Sequence, residues 1–227
     1  MSAVKVVKQT ASRITGVDFS AYEKMRASAG NRGIRMTYTD GVLWIMSPQF
    51  RHEIGARRLG ALVLAYALTT KLECEAAGAT TFKKGVPDQP TGKGKEGDET
   101  YYLGSLAAEV RNKESLDVSV EPPPSLWIEV DNYGDSRGKL PLYAALGVPE
   151  VWQYRVRRRA LKFWRLEGGQ YAEIPASLAL PGLEAEMVLE LLDESKRIGL
   201  TRWLQWLLTV WFPQNRARFP DFTNHQP

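Results

Sequence analysis

Residues 125–130, Ser-Leu-Trp-Ile-Glu-Val, constrain this chain more than any other stretch; three consecutive prolines, 122–124, lead into them. The run is almost wholly apolar, as in a strand at the interior of a sheet, and prolines belong at the start of such a strand because they cannot donate to its ladder. Glu129 is its one carboxylate. A carboxylate held there without a partner costs several kcal/mol, so the sequence requires a partner for it. Downstream, residues 138–146 read as a helix stopped by Gly147, and 150–156 resume as a strand, which makes a β-loop-α-β unit.

The flanking segments follow from periodicity. Ile34, Met36 and Tyr38 alternate with polar residues, Asp40-Gly41 supplies a positive-φ turn pair, and residues 34–46 read as a β-hairpin ended by Ser47-Pro48. Leu59, Leu62, Val63 and Tyr66 fall at i, i+3, i+4 and i+7, which predicts a helix from Arg51 with one buried stripe. A short helix is expected around 19–29 and a strand over 80–84. Residues 85–97 are rich in Gly, Pro and Lys and read as an exposed loop in a region carrying Lys83, Lys84, Lys93 and Lys95. Residues 98–103 resume as a strand, and 161–166 and 171–174 around Gly168-Gly169 make a second hairpin. The expected division is an N-terminal extension over 1–33, a main domain over 34–190 and a C-terminal helix with tail over 191–227.

Composition narrows the classes. Hydrophobic residues at 44% and charged residues at 25% match ordinary globular usage, which disfavours collagen-like, disordered and membrane-spanning chains. No apolar run approaches the roughly 18 residues needed to span a bilayer, and residues 1–16 lack a continuous apolar core, so no membrane partner and a cytoplasmic location are expected. Cys74 has no second cysteine to pair with, and His52 and His225 are too few for a zinc site of four His and Cys ligands. Carboxylate sites stay open. The net charge of +4 is compatible with nucleic acid without pointing to it.

The chemistry-bearing residues lie at strand ends. Asp98 opens one strand and Glu129 lies 31 positions later in another. A divalent cation shared by the two would supply the missing partner, since Mg²⁺ takes one or two carboxylates with waters. Without that ion the two carboxylates would repel, raising at least one pKa. Lys139 follows Glu129 by ten residues, on the first turn of the next helix, and a structural Glu129–Lys139 ion pair is the alternative. Arg155, Arg157, Arg158, Arg159, Lys162 and Arg165 form a run without an acid; strand alternation would put Arg155, Arg157 and Arg159 on one face, as a phosphate-contacting surface or a solvated hairpin.

The stretches MSPQFRHE (46–53), EGDETYY (96–102), PPPSLWIEVD (122–131) and GKLPLYAALGVPEVW (138–152) resemble the Uma-type family of restriction endonucleases, within the PD-(D/E)XK nuclease superfamily, over residues 34–190. The resemblance implies an α/β fold: a restriction-endonuclease-like mixed β-sheet, four-stranded at its centre and flanked by helices, here with an N-terminal hairpin and an added C-terminal helix. It implies Mg²⁺, with Mn²⁺ as a substitute, held near Asp98 and Glu129, with Lys139 and His52 as further catalytic positions. Two positions depart from the family pattern. Gly97 stands where a proline usually precedes the Asp, while a literal Pro87-Asp88 lies in the basic loop. Asp131 occupies the usual lysine position two residues after the Glu, which makes it a possible third metal ligand and leaves the lysine role to Lys139.

The activity implied is metal-dependent hydrolysis of phosphodiester bonds, in DNA before RNA. The alternative is an inactive nucleic-acid-binding or protein-interaction module on a nuclease fold. Leu200, Trp203, Leu204, Leu207, Leu208 and Trp211 repeat at helical spacing with Trp206 and Val210 beside them, more apolar surface than one face needs, so a homodimer is expected.

Overall fold

The computed structural model describes residues 12–28, 34–46, 50–85, 91–113, 116–132 and 136–223. Ser47-Pro48, Pro87-Asp88 and His225 lie outside the described residues.

Two sheets organise the chain. The first contains β1 (Ser12–Thr15), β2 (Arg35–Thr39), β3 (Val42–Met46), β5 (Thr81–Gly85) and β6 (Gly92–Glu96), in the order β1-β3-β2-β6-β5, and every pair is antiparallel. The second contains β4 (Cys74–Ala76), β7 (Glu99–Leu103), β8 (Leu126–Asp131), β9 (Glu150–Arg155), β10 (Ala160–Glu167) and β11 (Gln170–Ile174), in the order β11-β10-β9-β8-β7-β4. Its one parallel pair is β8 with β9, as the crossover between them requires. The sheet is therefore mixed, with six strands among the described residues, and the N-terminal hairpin is built into a separate sheet that has five.

The expected exposed loop over 85–97 is a strand in its second half. Gly-Lys-Gly-Lys is period-two alternation: a Cβ on Gly92 would lie 2.5 Å from Phe19 and one on Gly94 2.5 Å from Tyr22, so the glycines leave room for the rings of α1 (Phe19–Ala27). Tyr22 stacks on Tyr38 at 5.2 Å between centroids, sealing that face. The opposite face of β6 carries Lys93 and Lys95, and Lys95 is only 2% exposed.

The long helix α2 (Phe50–Thr70) forms as the periodicity predicts, with Leu59, Leu62, Val63 and Tyr66 fully buried against β8 and its neighbours. After β7 comes the short α3 (Ser105–Val110), and on the other face of the second sheet α4 (Leu140–Leu146) buries Leu142, Tyr143 and Leu146 against Trp127 and Val151. Pro141 in its first turn and Gly147 at φ 81° bound this helix. Near the C-terminus, α5 (Ala185–Ile198) and α6 (Leu200–Trp206) close the first core.

Two surface expectations change. Trp203, Leu207 and Phe212 are fully buried in the chain's own core, and Leu204, Trp206 and Trp211 pack against it. Leu200 and Leu208 stay about two-fifths exposed, so the apolar excess that called for a second subunit is largely covered by this chain. In the basic run, residues 156–158 form a 3-10 turn and Arg159 takes φ 46°, so strand alternation does not align Arg155, Arg157 and Arg159. Arg159 pairs with Asp193 and Glu186, Lys162 with Glu173 and Arg165 with Glu167, which fits a solvated hairpin for those three. No helix among the described residues is long and apolar enough to cross a membrane.

Candidate active site

The site lies where the chain passes from one sheet to the other. β6 ends at Glu96 in the first sheet, β7 begins at Glu99 in the second, and Gly97-Asp98 makes the crossing. A Cβ on Gly97 would fall 2.5 Å from Thr100 Cγ2 and 3.2 Å from Trp127, so no side chain fits without displacement. This accounts for glycine at the position where the family pattern has proline.

β7 and β8 pair antiparallel with Glu99 opposite Ile128 and Thr100 opposite Trp127. Continued by one step, that register sets Asp98 opposite Glu129 on the same face of the sheet. The 31-residue gap in sequence thus closes to neighbouring strands. Both carboxylates are buried, Asp98 at 6% and Glu129 at 3% exposure.

Asp98 is held on both oxygens. Oδ1 accepts from Arg35 Nη1 at 2.7 Å, while Oδ2 accepts from the Val130 backbone N–H at 2.7 Å and lies 2.9 Å from His52 Nε2. Burial alone would raise its pKa, but the His52 hydrogen bond and charge, with Lys95 and Arg35 nearby, hold the carboxyl at about 2. Burial pulls His52 down, yet Asp98, with help from Glu53, outweighs it and leaves the imidazole above its ordinary value. The ring bridges two carboxylates, with Nδ1 3.1 Å from Glu53 Oε1, and Arg35 spans the same two. Cations, not the other carboxylate, dominate the surroundings of Asp98, so mutual repulsion raises no pKa there.

Glu129 is held differently. Its Oε1 accepts from Trp127 Nε1 at 2.7 Å and lies 2.9 Å from Lys95 Nζ, whereas Oε2 is 3.9 Å from Lys139 Nζ. Lys95 also donates to the Glu96 carbonyl at 2.9 Å and lies over the rings of Trp127 and Tyr143 at 5.9 and 5.8 Å. Desolvation lowers the Lys95 pKa, opposed chiefly by Glu129. The buried partner that Glu129 requires is therefore Lys95, and Lys139, 30% exposed at the start of α4, is left facing solvent. Lys95, Arg35, Glu53 and Tyr143 were missed in the sequence; the signal for Lys95 was the two-residue Gly-Lys alternation.

Asp131 lies two residues beyond Glu129 on the same strand face, where its Oδ2 accepts from Gln153 Nε2 at 3.0 Å. Among the described residues no three His, Cys, Asp or Glu side chains gather as a ready-made metal cage. Two carboxylates on neighbouring strands are the hard oxygen donors that a magnesium-class ion takes, and here protein cations neutralise both. Glu150 gives the contrast of a structural carboxylate, saturated by neutral donors from Trp152, Ser177, Leu178 and Ala179.

No curated protein matches the chain. Among solved structures, it is similar to a protein from Anabaena variabilis described as a "putative nuclease", 14% identical, with a TM-score of 0.45, covering 74% of this chain and 90% of that one. A family model described as "Putative restriction endonuclease" matches residues 19–195, a span that contains β6, the Gly97-Asp98 crossing, Glu129 and Lys139. With well over half of its length matched, and the matched segment supplying every side chain that holds the carboxylate pair, the chain belongs to the Uma2 family, described as "Putative restriction endonuclease".

Proposed function

We propose that this protein is a Mg²⁺-dependent endonuclease, with Mn²⁺ able to substitute, that hydrolyses phosphodiester bonds in DNA in the cytoplasm. The observation that carries this reading is the opposed pair Asp98 and Glu129, flanked by one buried and one solvent-facing lysine. Asp98 and Glu129 would hold the ion, with Asp131 as a further ligand. When bound, the ion supplies an activated water and neutralises charge developing on the phosphate. His52 and Arg35 orient Asp98, and Lys95 and Trp127 orient Glu129, so that neither carboxylate reorganises during the reaction. Lys139 is the ammonium able to reach substrate: it orients a water or contacts a phosphate oxygen as a point charge.

The test is cleavage of plasmid DNA with and without Mg²⁺, beside Mn²⁺ affinity by calorimetry. Asp98→Asn and Glu129→Gln are each expected to abolish cleavage and weaken Mn²⁺ binding. Undiminished affinity in both variants would remove the basis of the reading. The second reading, an inactive nucleic-acid-binding module, draws on the protein cations that already neutralise both carboxylates. It requires DNA binding in EDTA with no cleavage under any divalent ion.

A further inference from the structure

A cavity of about 290 Å³ opens between the first turns of α2, the end of β9 and α5. Its polar lining is cationic: Arg51 and Arg58 from α2 and Lys196 from α5, with Tyr154 in the wall and Gly55 and Val156 among the apolar lining. Among the described residues no carboxylate lines it. Arg58 Nε is buried without a hydrogen-bond partner, and neither Arg51 nor Arg58 makes an ion pair among the described residues. Lys196 bonds to Asp193 at 2.7 Å, so Arg58 carries the buried donor that has no partner. Buried donors on a guanidinium are usually paired, so the unpaired Arg58 Nε beside this cavity, with the exposed Arg51 also in its lining, marks a place prepared for an anion.

Arg51, Gly55 and Arg58 recur at i, i+4 and i+7 and share one stripe of α2. His52, on the adjoining stripe, reaches Asp98, so the cavity and the carboxylate pair are served by the same first turns of one helix. The guanidinium, ammonium and phenol donors in its lining suit an oxyanion that accepts several hydrogen bonds at once.

We propose that this cavity holds a backbone phosphate of the nucleic-acid strand next to the one cleaved, and so sets the position of that strand over Asp98 and Glu129. The proposal rests on the nuclease reading for its ligand, and its test separates the two. Arg58→Gln and Lys196→Gln are compared with the parent for binding a short fluorescein-labelled DNA duplex in EDTA, by anisotropy over about 50 to 200 mM salt. Each is expected to weaken binding about tenfold and to lower the slope of log affinity against log salt by about one. Arg202→Gln removes the same charge from α6, outside the cavity, and is expected to leave the slope unchanged.

Cleavage by the parent together with unchanged slopes in both cavity variants overturns the phosphate site and leaves the nuclease reading standing. Reduced slopes with no cleavage by the parent uphold the site and overturn the nuclease reading. Stabilisation of the parent by inorganic phosphate, with unchanged DNA slopes, assigns the cavity to free anions and overturns the proposal.

Discussion

Replacing Lys95 by methionine keeps an unbranched side chain, one atom shorter, and removes its charge. The Lys95–Glu129 pair is 2.9 Å long with both side chains 3% exposed, so the substitution leaves a desolvated carboxylate with Trp127 Nε1 and a lysine 3.9 Å away. Breaking a buried pair from one side costs about 3–5 kcal/mol. For a chain of this size each kcal/mol moves the melting temperature by roughly 2–4 °C, so a fall of about 6–20 °C is expected. Lys139→Met removes the longer, partly exposed contact and is expected to cost at most about 1 kcal/mol, or roughly 4 °C. Circular dichroism melts in EDTA compare the two. Adding Glu129→Gln to Lys95→Met is expected to restore part of the loss, because the stranded charge is gone. Equal melts for the parent and Lys95→Met, or a larger fall for Lys139→Met, would refute the assignment of Lys95 as the structural partner.

Cleavage and stability should separate at the second lysine: Lys139→Ala is expected to melt within a few degrees of the parent and to lose most turnover, as plasmid nicking would report. Neutralising Asp98 strands Arg35 and His52, so Asp98→Asn is expected to melt below the parent in EDTA, a direction opposite to relief of repulsion. The His52–Asp98 contact carries a pH signature. His52 is raised above 6.5 when folded, so its contribution is complete below that pH and is lost as pH rises through the folded value. Asp98, lowered from 3.8 to about 2, contributes above 3.8 and loses that contribution as pH falls toward 2. The melting-temperature difference between the parent and His52→Asn is therefore expected to be largest between about pH 4 and 6.5 and smaller at pH 9; a difference constant across that span would count against the ion pair. At the sheet crossing, Gly97→Ala is expected to cost about 1–3 kcal/mol, read from the same melts, because its Cβ meets Thr100 at 2.5 Å.

Local sequence determined the elements whose signals are periodic. The stripe Leu59, Leu62, Val63 and Tyr66 is buried as its spacing predicts, Asp40-Gly41 turns the first hairpin with both residues at positive φ, and Gly147 ends α4 in the left-handed region. Glu129 announced its need for a partner, since a carboxylate in an apolar strand is costly whatever surrounds it. The identity of that partner depended on pairing between distant strands. β6 belongs to one sheet and β8 to the other, and Lys95 reaches Glu129 only because the chain crosses between sheets at Gly97-Asp98.

The tertiary structure also decided the role of composition. Glycine and lysine in β6 read as an exposed loop because glycine's usual use is conformational freedom; here the missing Cβ atoms admit Phe19 and Tyr22 from a helix some 70 residues earlier in the chain. Arg35, in the first hairpin, reaches Asp98 only because β2 is set beside β6. Spacing along a chain records what one element needs of its own surroundings. Which cation answers a buried anion is settled by strand order and register, and those are fixed by the summed packing of all the elements at once.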